Sequence, residues 1–142
     1  MKTVSEIMTK DCVTVTLQDN MFEIALKMKQ YDIGFIPVLE GKKLIGVVTD
    51  RDLVIRGLAE KHEGSAAVAK VISEKLTTVT PNTSVDEAAK IMANEQIRRL
   101  PVVENGELVG VIAIGDLAIR DKYEIEAGEA LSKISQKEGS VM

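Results

Sequence analysis

Hydrophobic and polar positions along the chain form two alternating patterns, and both recur. "CVTVTL" (12–17) and "LTTVTP" (76–81) are β-branched and partly alternating, which predicts two short strands ending at turn residues. A helical period follows each: Met21, Ile24, Ala25 and Met28, then Val85, Ala88, Ala89 and Met92, have the i, i+3, i+4, i+7 spacing of one buried face. Asn20 with Glu23, and Ser84 with Glu87, have the spacing of a capping box and mark the helix starts. "FIPVLEGKKLIGVVT" (35–49) and "LPVVENGELVGVIA" (100–113) then predict strand pairs joined by short polar glycine turns. Pro37 and Pro101 have no amide hydrogen to give a ladder, so each belongs at an edge or a strand opening. Such an opening leaves backbone groups around Ile36, Pro37, Leu100 and Pro101 available to a ligand. Closing helices are predicted from about Thr49 to Glu60 and from about Gly115 onward.

The recurrence has a fixed register. A shift of 64 residues, with no gap, places Val15 on Val79, Glu23 on Glu87, Met28 on Met92, Ile33 on Ile97, Pro37 on Pro101, Gly46 on Gly110 and Asp52 on Asp116. Internal duplication at this period means two copies of one supersecondary unit, each unable to cover its apolar face alone. The expected fold class is α+β: two β-α-β-β-α repeats, 1–60 and 61–121, packed as a pseudo-two-fold pair. "EKHEGSAA" (60–67) connects them. A tail, 122–142, spaces Ala127, Ala130, Leu131 and Ile134 like one more helix, which docks on its own module or on a partner.

Composition narrows the chemistry. With 142 residues the chain has the size of one domain or of two small coupled ones. No apolar run approaches the roughly 20 residues of a membrane span, and the opening "MKTVSEIMTK" has no apolar signal core, so a soluble cytoplasmic protein is expected. One cysteine, Cys12, and one histidine, His62, exclude an intramolecular disulfide and argue against a Cys/His metal site. Cys12 reads as a buried, inert thiol and His62 as solvated. A net charge of −4 and 3% aromatic residues argue against nucleic-acid binding, so an anionic ligand must find local positive charge.

Two stretches carry that chemistry: "GVVTDRDL" (46–53) and "GVIAIGDL" (110–117), alike at their ends and rewritten at their centres. From spacing, Thr49 and Asp52 read as a helix cap, and Asp52 with Arg56, like Asp116 with Arg120, as an i, i+4 surface ion pair. Against a purely capping role stands Asp116, which persists although Ala113 has removed the hydroxyl partner.

A tandem of β-α-β-β-α units, each with a strand-opening "IPV" or "LPV" and a Gly-h-h-Thr/Ser-x-x-Asp ending, resembles the cystathionine β-synthase (CBS) domain pair, the Bateman module. The resemblance covers about residues 1 to 121. It implies two clefts between paired repeats that hold AMP, ADP, ATP, related dinucleotides or S-adenosylmethionine, or in many members nothing. It further implies that the Thr49 hydroxyl meets phosphate and that Asp52 and Asp116 take ribose hydroxyls; Arg51, beside them in the sequence, adds a cation at the first helix start. Arg98 and Arg99, just before "LPV", fall where basic side chains reach phosphates, whereas the first copy has Gly34 and Phe35 there. Thr14, Val15 and Thr16, with Thr78, Val79 and Thr80, fall where the adenine pocket is lined, although β-branched character alone explains them as strand residues.

The expectation is therefore a regulatory adenosyl sensor with two unequal clefts, the one around Thr49 and Asp52 being the better nucleotide site. It acts as a homodimer on an unidentified effector protein and is not an enzyme, because no nucleophile–base pair, P-loop or metal constellation is evident. A structural or protein-interaction module with empty clefts is the alternative.

Overall fold

The structure, a computed structural model, describes residues 2–118. Arg120 and the expected tail helix lie outside the described residues. Two compact units are present, and they do not coincide with the sequence repeats. One joins Cys12–Leu76 with Gly106–Leu108; the other joins, among the described residues, 2–11, Thr77–Asn105 and 109–118.

In the first unit, β1 (Val15–Thr16) pairs in parallel with β2 (Phe35–Glu40), which pairs antiparallel with β3 (Lys43–Thr49). Helix α1 (Met21–Tyr31) crosses between β1 and β2. Its start is set as the sequence predicts: Asn20 Oδ1 accepts the Glu23 amide at 2.9 Å, and Glu23 Oε1 accepts the Asn20 amide at 3.1 Å. It stops at Asp32, which takes the left-handed conformation, and the Asp32 amide bonds back to the Met28 carbonyl. Met21, Ile24 and Met28 are buried, but Ala25 is exposed, contrary to expectation, although Ala89 at the matched position of the other repeat is buried; what packs on each helix decides the difference. The core joins these three to Val15, Ile36, Val38 and Val48. Helix α2 (Asp50–Asp52) continues through a π-turn, Leu53–Gly57, and a 3-10 turn, Leu58–Glu60. A Cβ at Gly57 would overlap the methyl end of Met21, so a larger residue there requires that side chain to move.

The second unit repeats the order with α3 (Val85–Glu95), β4 (Arg99–Glu104), β5 (Glu107–Ala113) and α4 (Ile114–Ala118). The Ser84 hydroxyl accepts the Glu87 amide at 3.1 Å, and Val85, Ala88, Ala89 and Met92 are all buried as their spacing predicts. The first strand has shrunk to one parallel bridge, Val79 with Val102. Asn105 and Gly106 both have positive φ, 55° and 80°, the requirement of a two-residue type I′ hairpin. The start of β5 belongs to the first unit, where Glu107 pairs with Lys43.

Each unit is opened by a segment from the other repeat. Val4–Glu6 and Val68–Lys70 are matching 3-10 turns, and the residues after them form matching bridges, Thr9 with Val111 and Ser73 with Val47. These crossings explain the repeated glycines. A Cβ at Gly46 would overlap Ile72 and lie 2.9 Å from the Ser73 carbonyl oxygen; one at Gly110 would lie 2.6 Å from Met8 Sδ and 2.9 Å from the Thr9 carbonyl oxygen. Cys12, expected to be buried, is only half-buried, and so is His62, expected in solvent.

Candidate functional site

Thr49 ends β3 and caps α2. Its hydroxyl oxygen accepts the Asp52 amide at 3.1 Å, while Asp52 Oδ2 accepts the Thr49 amide at 2.9 Å, a completed capping box. Asp52 Oδ1 lies 3.7 Å from Arg56 Nε, and the Arg56 guanidinium is anchored by donating to the Ile72 carbonyl at 2.9 Å. Cap and ion pair are thus both formed. They do not exhaust these side chains: a carboxylate offers about four acceptor positions, the Thr49 hydroxyl still has its own proton to donate, and the Asp52 side chain keeps 18% of its surface exposed.

In the second repeat Asp116 Oδ2 accepts the Ala113 amide at 2.8 Å. That bond is the half of the cap that uses a backbone donor, so it survives the loss of the hydroxyl. The argument from sequence that Asp116 lacks a structural reason to persist is overturned by it. The aspartates hold the helix starts, and a ligand role for them has to rest on other grounds.

The rewritten centre has a local geometry as well. The Asp50 amide donates to the Gly34 carbonyl at 3.0 Å, and the Ile114 amide donates to the Arg98 carbonyl at 2.8 Å. One backbone bond thus ties the residue before each "h-P-V" strand to the first residue of the closing helix, at matched positions in both repeats. Asp50 is exposed, and its Oδ1 accepts the Arg51 amide at 2.8 Å; Ile114 is 7% exposed and joins the core of its unit. Sequence reasoning passed over Gly34 and Asp50 as a pair, although both change together between the copies.

The other sequence-predicted residues sort by what they can offer. Phe35 lies opposite Thr49 and Ile36 opposite Val48, so the opening of β2 runs beside the Thr49 cap. The side chains of Ile36 and Leu100 are fully buried, which leaves only their backbone to a ligand. Pro37 and Pro101 are buried too, and the Pro101 carbonyl accepts the Val79 amide at 3.1 Å. Pro37 lies opposite Val47 of β3, and the register of β1 begins one residue further on, at Val38. Thr16 is exposed and pairs with Leu39, three residues or about 10 Å along the strand from Ile36. It is not brought against Thr49. Its hydroxyl oxygen accepts the Gln18 amide at 3.2 Å, and the Thr80 hydroxyl, also exposed, meets that of Thr83 at 3.2 Å. Arg51, Arg98 and Arg99 are exposed. Among the described residues no group of three or more His, Cys, Asp or Glu could hold a metal ion, and no helix is long and apolar enough to cross a membrane.

Two β-α-β-β-α repeats, each ending in a capped carboxylate helix, define a tandem CBS protein. The chain belongs to the CBS domain family, whose pattern matches residues 4–57 and again 68–121. The CBS domain-containing protein YhcV of Bacillus subtilis is 41% identical over 137 residues, 96% of this chain and 98% of that one. Among solved structures, Hypoxic Response Protein I with two coordinated zinc ions superposes with a TM-score of 0.76 at 31% identity, covering 84% of this chain and 98% of that one. The CBS pair of protein MJ0100, in complex with 5'-methylthioadenosine and S-adenosyl-L-methionine, gives a TM-score of 0.74 at 22% identity, covering 84% and 94%.

Proposed function

We propose that this chain is a regulatory module that binds an adenosyl compound, AMP, ADP or ATP foremost with S-adenosylmethionine as a further candidate, and passes its occupancy to an effector protein. In this reading Asp52 and Asp116 accept the ribose hydroxyls. Thr49 with Arg51, and Arg98 with Arg99, supply donors to the rest of the ligand, while Thr16, Thr80 and the backbone at Ile36, Pro37, Leu100 and Pro101 border the base. The module works in the cytoplasm as a homodimer and needs neither catalysis, nucleic acid nor membrane.

The observation that carries the reading is the strand opening held beside each closing helix by the Asp50–Gly34 and Ile114–Arg98 bonds, the same in both repeats. The complex of MJ0100 adds that a CBS pair of this fold accommodates adenosyl compounds. The alternative, an interaction module with nothing bound, is favoured by the complete cap at Thr49 and the half cap at Ala113, which give the aspartates a structural role of their own.

A thermal-shift screen separates the two. Ligand at about 100 times its dissociation constant adds roughly 2.7 kcal/mol of stability. A rise in midpoint with at least one of AMP, ADP, ATP or S-adenosylmethionine is expected; no shift with any of them leaves the interaction module as the function.

A further inference from the structure

The difference between the rewritten centres bears on the charge of the ligand each repeat accepts, given the reading that adenosyl compounds bind at these helix starts. Gly34 has no side chain, and the space where one would begin is already filled: an ideal Cβ there would lie 2.7 Å from Asp50 Oδ2 and 3.0 Å from the Asp50 carboxyl carbon. The Asp50–Gly34 backbone bond of 3.0 Å holds this contact in place. At the matched position of the other repeat stands Arg98, tied by its carbonyl to the Ile114 amide at 2.8 Å. Ile114 puts no charge there and packs into the core. The first repeat therefore has a carboxylate at the point from which, in the second, an arginine side chain sets out.

The surrounding charges follow the same division. Asp50, Arg51 and Asp52, with Arg56 3.7 Å from Asp52, sum to zero in the first repeat, whereas among the described residues Arg98, Arg99 and Asp116 sum to +1 in the second. A phosphate group approaching the first helix start meets Asp52 already paired with Arg56, which is tied to the Ile72 carbonyl, and Asp50 with only Arg51 near it in sequence; the Asp50 carboxylate repels a phosphate a few ångströms away even with partial screening. An uncharged nucleoside, or one carrying a sulfonium, meets no such penalty and keeps the Asp52 acceptor and the Thr49 donor.

We propose that the two repeats select adenosyl ligands by charge. Asp50, seated against Gly34, makes the first repeat's site one for a neutral or cationic adenosyl compound, and Arg98 with Arg99 makes the second repeat's site one for an adenosyl phosphate. This revises the ranking drawn from sequence, in which the Thr49 hydroxyl made the first site the better one for nucleotides.

The test is titration calorimetry of the full chain with adenosine, AMP and S-adenosylmethionine, in wild type, Asp50→Asn and the double variant Arg98→Gln/Arg99→Gln. Asparagine keeps the shape of Asp50 and an acceptor for the Arg51 amide while removing the charge, and Asp50 is exposed, so the fold is retained. Asp50→Asn should tighten the weaker AMP step about ten-fold, weaken S-adenosylmethionine and leave adenosine within about two-fold. The arginine variant should weaken the tighter AMP step by about ten-fold and spare adenosine. Adenosine binding with an AMP-to-adenosine ratio indifferent to Asp50→Asn overturns the charge selection alone. Absence of heat from all three compounds in wild type overturns the adenosyl reading, and this inference with it.

Discussion

Replacing Asp116 by alanine tests whether the carboxylates at the two helix starts do structural work. Asp116 Oδ2 accepts the part-buried Ala113 amide at 2.8 Å, and its loss strands that amide. Hydrogen bonds to a charged group contribute about 1.5–3 kcal/mol, so a loss near 2 kcal/mol is expected. Asp52→Ala removes the equivalent 2.9 Å bond together with the 3.7 Å ion pair to Arg56. Because that arginine is half exposed, the pair adds only about 0.3–0.5 kcal/mol, and the two aspartate variants should fall close together. Thr49→Ala removes only the 3.1 Å bond from the Asp52 amide and gives the first repeat the residue pair the second already has. Its cost should be the smaller, about 1 kcal/mol for an N-cap hydroxyl. Urea unfolding followed by far-ultraviolet circular dichroism measures all three: with a slope of about 2 kcal/mol/M, the aspartate variants should lower the midpoint by about 1 M and Thr49→Ala by about half as much. An Asp116→Ala midpoint within about 0.15 M of wild type would refute the capping role and restore the ligand as the reason for the aspartate.

Gly46→Ala and Gly110→Ala should each lower stability by about 1–3 kcal/mol, because the added Cβ meets a carbonyl oxygen of the crossing segment at 2.9 Å; an unchanged or raised thermal midpoint would show that the crossing yields. Gly106→Ala, forced to keep a φ of 80°, should cost about 1 kcal/mol in the same assay, and no loss would mean that the hairpin changes turn type. On assembly, Phe22 and Leu58 are 61% and 71% exposed, and Leu26, Val54 and Ile55 are exposed on helical turns of the same unit, apolar side chains that a second copy would cover. Light scattering should give twice 15.5 kDa for the wild type and 15.5 kDa for Phe22→Glu/Leu58→Glu; a wild-type monomer at micromolar concentration disposes of the homodimer.

Much of the fold is legible because local rules and the register agree. The capping residues Asn20 and Ser84, the Asn105–Gly106 turn and the four-residue stripe of α3 all sit where spacing puts them. Ala25 was misplaced because alanine is compatible with either side of a helix, so only packing decides its face. The segments 4–9 and 68–73 were missed for a different reason. Each contributes a 3-10 turn and one bridge, too short to leave a hydrophobic period, yet the shift of 64 that aligns Pro37 with Pro101 also sets Val4 on Val68, Met8 on Ile72 and Thr9 on Ser73. The role of Asp116 was misread because its hydrogen-bond partner is a backbone amide, which no sequence displays.

The exchanged opening segments affect how the protein is made. Thr9 and Val111 are 102 residues apart, and their amides and carbonyls are mutually bonded at 2.9 Å. During translation the segment ending at Thr9 leaves the ribosome well before its strand partner, which is synthesised about a hundred residues later, five to twenty seconds at ordinary elongation rates of roughly 5–20 residues per second. Until then Val4, Ile7 and Met8 have no second-repeat core to enter. A nascent chain stalled before β5 should therefore bind a hydrophobic-segment chaperone at its first ten residues, and release of that chaperone should coincide with emergence of Val111.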